Sequence, residues 1–146
     1  MMYYYKQPKK SPSYKFTDFK KACRKKNRDN LVIIYDVLED ADKYFNLRTK
    51  DQILDFIYND GLENKIFINT KLWEQNSDKT KPIMVDSYNF ETGNKRGYIA
   101  FMYSDQTNKW IIKSFKLSDD ANVQMYHALK DAGIFEQFNI DNGGKI

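Results

Sequence analysis

The chain contains one cysteine, Cys23, one histidine, His127, and three prolines in 146 residues. A lone cysteine excludes an internal disulfide and any zinc site built from several thiolates. A lone histidine excludes ribonuclease chemistry that needs two, and also any Ser-His-Asp triad resting on another histidine. His127 itself falls in an acidic C-terminal stretch, where it reads as a surface or half-buried helix position. No run approaches the ~18 apolar residues of a membrane span. The opening MMYYYKQPKKSP has neither an apolar core nor a cleavage pattern, so no signal peptide is expected. Neither Gly-x-Gly-x-x-Gly nor a Walker-type Gly-Lys-Ser/Thr occurs. The carboxylates are scattered, with no spacing that dictates a metal site. Together these absences predict a cytoplasmic protein with no cofactor and no metal.

What is present fits a single domain over residues 1–146, with ordinary hydrophobic (41%) and charged (30%) fractions. The net charge of +4 conceals a gradient. Residues 1–30 carry 10 Lys+Arg against 2 Asp, whereas residues 31–60 carry 3 basic and 7 acidic side chains. Residues 61–116 are again basic, and the remainder is acidic. Basic surface attracts polyanions, nucleic acid above all. The same charges can equally be the solvated face of a helix.

Residues 1–12 read as a mobile, Pro-containing arm. Ser13 or Thr17 can cap a first helix ending near Asn27, with Phe16, Phe19 and Cys23 as its buried stripe. Lys20, Lys21, Arg24, Lys25, Lys26 and Arg28 crowd its remaining surface. Cys23 reads as a small core residue. Residues 31–46 keep helical spacing through Leu31, Ile34, Leu38, Ala41 and Phe45, although Val32 to Tyr35 could begin as a strand. Asp29 or Asn30 is the expected cap. Thr49 and Gln52 form a capping box for a third helix, which buries Ile53, Phe56 and Ile57 and stops at Gly61. Between 62 and 82 the sequence allows a short strand or turn at Lys65–Ile68, a packed Trp73, and an exposed loop from Asn76 to Pro82.

Residues 83–116 carry the strongest pattern. IMVDSYNF, RGYIAFMYS and KWIIKSFK are rich in β-branched and aromatic residues, and the turn formers ETGNK and DQTN separate them. This predicts a three-stranded antiparallel meander over 83–90, 96–104 and 109–116. Strict alternation puts Ile111, Lys113 and Phe115 on one face and Trp110, Ile112, Ser114 and Lys116 on the other. One face takes helices, and the other offers a part-buried surface with Tyr98, Asp86, Tyr88 and Lys113 or Lys116. A helix capped by Ser118 follows, ending at Gly133, and residues 139–146 fray. The fold class is therefore α+β, a small antiparallel sheet with N-terminal helices on one side and a C-terminal helix.

Lysines on such a sheet can hold a phosphate and stabilise charge that builds on it. A tyrosine can transfer a proton when nearby cations tune it. That set suits RNA cleavage, in which the ribose 2′-OH is the nucleophile. On composition alone Tyr98 and Lys116 read rather as an ordinary strand-edge tyrosine and a strand-terminal lysine. The other reading is a non-catalytic module of phage or plasmid origin that binds nucleic acid or protein.

The order of motifs resembles the MqsR group of RelE-like mRNA interferase toxins. The matching stretches are Phe19-Lys20-Lys21, Ala41 to Leu47, Ile53 to Ile57, Phe67 to Lys71, Asp86-Ser87-Tyr88, Gly97-Tyr98 and Ser114-Phe115-Lys116, within residues 13–118. The resemblance implies metal-independent cleavage of single-stranded mRNA and neutralisation by a cognate antitoxin. It implies Lys116, Tyr98 and Lys71 as catalytic residues; the basic charge adds Arg96, Lys113, Lys20, Lys21, Arg24 and Lys25 as RNA-binding candidates. Two positions depart from the family pattern. Lys71 lies four residues after Phe67 rather than two, and Val85 replaces a glutamine before Asp-x-Tyr. On this reading Tyr98 and Lys116 face one cleft, near a basic loop bearing Lys71.

Overall fold

The structure, a computed structural model, describes residues 11–118. Residues 1–10 of the expected arm, the helix beyond Ser118 with His127, and the 139–146 tail lie outside the described residues. The elements in order are α1 (Phe16–Ala22), a 3-10 helix (Lys25–Asn30), β1 (Leu31–Ile33), α2 (Tyr35–Phe45), α3 (Lys50–Tyr58), β2 (Glu63–Leu72), β3 (Met84–Thr92), β4 (Lys95–Ser104) and β5 (Lys109–Leu117). The five strands lie in the order β1-β5-β4-β3-β2, with β1 parallel to β5 and every other pairing antiparallel. The expected meander is present as β3–β4–β5, and the class is α+β.

Local chemistry accounts for most boundaries. Thr49 Oγ1 accepts the N–H of Gln52 at 3.1 Å and starts α3. The Gln52 side chain closes the cap on the N–H of Arg48 rather than that of Thr49. Asp60, not Gly61, takes the left-handed conformation (φ 65°) after α3, and Gly61 N–H then reaches back to Phe56 O. α2 ends the same way, on Asn46 with φ 61°. The hairpin between β3 and β4 turns at Gly93 (φ 60°), and Asn108 (φ 55°) closes the β4–β5 turn.

Several expectations are corrected. The 31–46 helix begins with a strand instead, because Leu31, Val32 and Ile33 pair with Trp110, Ile111 and Ile112. Neither Asp29 nor Asn30 caps α2, whose cap residue is Ile34 with no side-chain bond. The first helix stops at Ala22 and gives way to a 3-10 turn that buries Arg28. Arg28 is therefore not part of the basic surface. It bonds Asp51 at 2.9 Å, Asp55 at 2.5 Å and the Cys23 carbonyl at 3.1 Å, tying the 3-10 turn to α3. The segment 63–72 forms a full ten-residue edge strand, not a short one.

The core lies between the helices and one sheet face. Phe19 of α1 stacks on Phe101 at 3.8 Å and 4°, Phe45 of α2 meets Phe115 at 5.0 Å, and Ile53, Leu54 and Ile57 of α3 are fully enclosed. A smaller cluster occupies the second face, where Val85, Ala100 and Met102 are buried and Trp73, Tyr98 and Ile111 pack against them.

Candidate functional site on the second sheet face

Asp86 and Tyr88 do not reach the second face. Both are buried on the helix side, Asp86 completely. The Asp86 carboxylate accepts the backbone N–H of Ser13 at 3.1 Å and of Tyr14 at 3.0 Å. Tyr14 Oη in turn donates to Met84 O at 2.7 Å. Tyr88 stacks parallel to Phe101, and burial, with the nearby Asp86 charge, raises its phenol above the ordinary range. This Asp-x-Tyr stretch is structural. It clamps the segment before α1 onto β3.

The alternation expected along β5 is broken once. Ile112 pairs with Phe101 and Ser114 with Ala100, so Lys113 has no opposite residue and forms a bulge. The extra residue shifts the remaining side chains by one. Trp110, Ile112 and Phe115 therefore share the core face, and Ile111, Ser114 and Lys116 share the second face. Lys113 and Lys116, expected on opposite faces, line the same groove.

Tyr98 stands directly opposite Lys116 across the β4–β5 pair and opposite Asn89 on β3. Lys116 Nζ lies 5.8 Å from the Tyr98 ring centroid. Ala100 and Ser114 form the next row, and Met102 with Ile111 the one after. A groove of about 390 Å³ opens beside these rows. Lys113, Ser114 and Lys116 line it from the sheet, Asp36 and Asp40 from the first half of α2, and Trp73 and Gln75 from the loop after β2. The carboxylates and the indole were not legible as site residues. Asp36 and Asp40 reach the groove only because the parallel β1–β5 pairing brings α2 alongside β5.

The other expected residues separate. Lys71 is on β2, not on a loop, and pairs with Val85 in the row of Met102, four residues along β4 from Tyr98. At roughly 3.3 Å per residue that is ~13 Å along the strand, before crossing two strands. Lys71 is thus not brought to the Tyr98–Lys116 pair. Arg96 shares the face of Tyr98 but is bound to its cross-strand neighbour Glu91 at 2.9 Å. Lys20 is bound to Asp60 at 2.6 Å, which holds that carboxylate below its ordinary range. Lys21, Arg24, Lys25 and Lys26 form no ion pair among the described residues, and Lys21 lies beside Tyr103 and Trp110 on the helix side of the sheet. Among the described residues no three His, Cys, Asp or Glu side chains gather as metal ligands, and no helix is long and apolar enough to cross a membrane. No family model, curated protein or solved structure matches the chain.

Proposed function

We propose that the protein is a metal-independent endoribonuclease of the RelE-like, MqsR type, cleaving single-stranded mRNA in the cytoplasm and restrained by a cognate antitoxin. The observation that carries this reading is the Tyr98–Lys116 pair, opposite each other on one face and next to a groove lined by a second lysine, Lys113. In the proposed reaction the ribose 2′-oxygen attacks phosphorus and the 5′-oxygen leaves, producing a cyclic phosphate. The Lys116 and Lys113 ammonium groups offset charge on the non-bridging oxygens. The Tyr98 hydroxyl protonates the departing 5′-oxygen. Asp36 and Asp40 line the same groove and are the bases able to accept the 2′-OH proton. Lys113 replaces Lys71 in phosphate binding, and Arg96, held by Glu91, contributes less to RNA binding than its charge alone suggests.

Purified protein incubated with single-stranded RNA in chelator should yield fragments ending in cyclic phosphate, and induced expression should arrest growth. Intact RNA together with normal growth overturns the reading. The basic run Lys21, Arg24, Lys25 and Lys26, which forms no ion pair among the described residues, favours a second reading, a non-catalytic nucleic-acid-binding module, which predicts RNA binding without fragments.

A further inference from the structure

A second groove, of about 440 Å³, lies at the opposite end of the molecule from the hairpin at Gly93 and on the helix side of the sheet. It is lined by Lys21 and Ala22 of α1, Asn27 and Asn30 of the 3-10 turn, Tyr103 of β4, Asn108 of the following turn, and Trp110 of β5. We propose that this groove binds the bases of single-stranded RNA, as a site separate from the Tyr98–Lys116 pair.

Three features converge on that ligand. First, Tyr103 and Trp110 are both part-exposed, with ring centroids 5.1 Å apart and planes at 61°. A base stacked on one ring meets the other edge-on, the arrangement aromatic pairs favour. Trp110 is anchored behind by Tyr14 and Phe19, so its position is fixed before any ligand arrives. Second, three carboxamides surround the rings. Asn27 spends one N–H on the Lys21 carbonyl, and Asn108 Oδ1 meets the Tyr103 hydroxyl at 3.3 Å. Among the described residues, Asn27 Oδ1 and the Asn108 amide nitrogen make no further bond and Asn30 makes no side-chain bond, so these groups can meet a ligand. An amide offers an acceptor beside a donor, the pattern of a base edge. Third, charge is arranged around this groove. Lys21 lines it, and the chain continues through Arg24, Lys25 and Lys26, which form no ion pair among the described residues. Asp18, also on the lining, repels phosphates toward that side and can accept from an exocyclic amino group. Stacked bases with a backbone on flanking cations is the general mode of single-strand binding.

Base binding in this groove does not require cleavage, so it is tested with an RNA that cannot be cut. Binding is measured with a fluorescent 2′-O-methyl oligoadenylate and with an abasic oligomer of equal length. The base-bearing strand should bind roughly tenfold or more tightly than the abasic one. Tyr103→Leu and Asn30→Ala should each remove most of that difference while leaving the abasic affinity unchanged. Lys21→Ala should weaken both strands and flatten the salt dependence by about one phosphate, a slope change near ~0.7. Asn30 is exposed, so its variant keeps the test valid if Tyr103→Leu unfolds. Equal binding of the two strands, or an unchanged difference in Asn30→Ala, overturns the proposal. So does loss of the difference in Lys116→Ala, which would place the bases on the other face.

Discussion

Phe90 lies across Gly97, its cross-strand partner, so closely that a β-carbon on residue 97 would come within 2.2 Å of the ring. Gly97 is thus not a turn glycine. It sits inside β4, two residues past the start of the strand, and makes room for a fully buried phenylalanine that also stacks on Phe115. The contact packs the residue immediately before Tyr98 against the Phe90 ring. Gly97→Ala must push Phe90 out of a filled core, at a cost of about 1–3 kcal/mol. Denaturant unfolding should show that loss, and Gly93→Ala, with nothing within 4 Å but φ at +60°, should show only the smaller backbone penalty. Wild-type stability in Gly97→Ala would mean that the ring has another place to go.

The clamp on the N-terminal segment makes a second prediction. Asp86 is wholly buried and accepts two backbone N–H groups, those of Ser13 and Tyr14. Hydrogen bonds to a charged acceptor contribute about 1.5–3 kcal/mol each, and Asp86→Ala leaves both donors unsatisfied. The variant should lose about 3 kcal/mol or more, and the amides of Ser13 and Tyr14 should exchange with solvent much faster. Asp86→Asn keeps one acceptor oxygen and should fall between. Equal exchange at both amides in all three proteins would dissolve the clamp.

A pH dependence follows from Cys23. The thiol is fully buried, and desolvation pushes its pKa from 9.0 up to about 12 despite the pull of Arg28. Between those values the unfolded chain loses a proton that the folded chain keeps. The thiol's contribution to stability is therefore complete below about pH 9 and is lost as pH rises toward about 12. The loss is about 1.4 kcal/mol per pH unit within that window. Cys23→Ala removes this titration, so the stability of the wild type relative to the variant should shrink steadily as pH rises above 9. Parallel stability curves through the alkaline range would contradict it. Alkylation at neutral pH should be slow until the protein unfolds.

The same residues mark where sequence was a sufficient guide. The β3–β4–β5 meander was legible because apolar and aromatic runs of strand length are cut by residues that accept positive φ, Gly93 and Asn108. Thr49 was legible because capping is local, with its partner only three residues away. What failed was non-local. β1 is three residues long and pairs with Trp110, Ile111 and Ile112 far along the chain, so its helical periodicity prevailed in the reading. Asp86 and Arg28 look like surface charges until their partners arrive from Ser13 and Tyr14, or from Asp51 and Asp55. The bulge at Lys113 leaves no mark in KWIIKSFK. Yet that single unpaired residue decides that Lys113 and Lys116 share a groove.

Catalysis supplies the last prediction, and it separates the lysines from one another. Tyr98 and Lys116 are adjacent on one face, and under the proposed mechanism losing either removes a group assigned to the scissile phosphate. Removal of one preorganised stabilising group costs about 10²–10³ in rate. Lys116→Ala and Tyr98→Phe should therefore each lower single-turnover RNA cleavage by about that factor, with the melting temperature and oligonucleotide affinity nearly unchanged. Lys71 stands in the Met102 row on the far side of β3, ~13 Å along the sheet by strand geometry. That exceeds the ~10 Å screening length at moderate salt. Lys71→Ala should consequently leave the rate within about threefold of wild type, whereas Lys113→Ala, on the groove itself, should reduce it further. The comparison is read in one assay on one RNA. A large loss in Lys71→Ala beside a small one in Lys113→Ala would shift the reacting phosphate to the β2 side of the sheet. Full activity in both Tyr98→Phe and Lys116→Ala would remove the pair from the chemistry altogether.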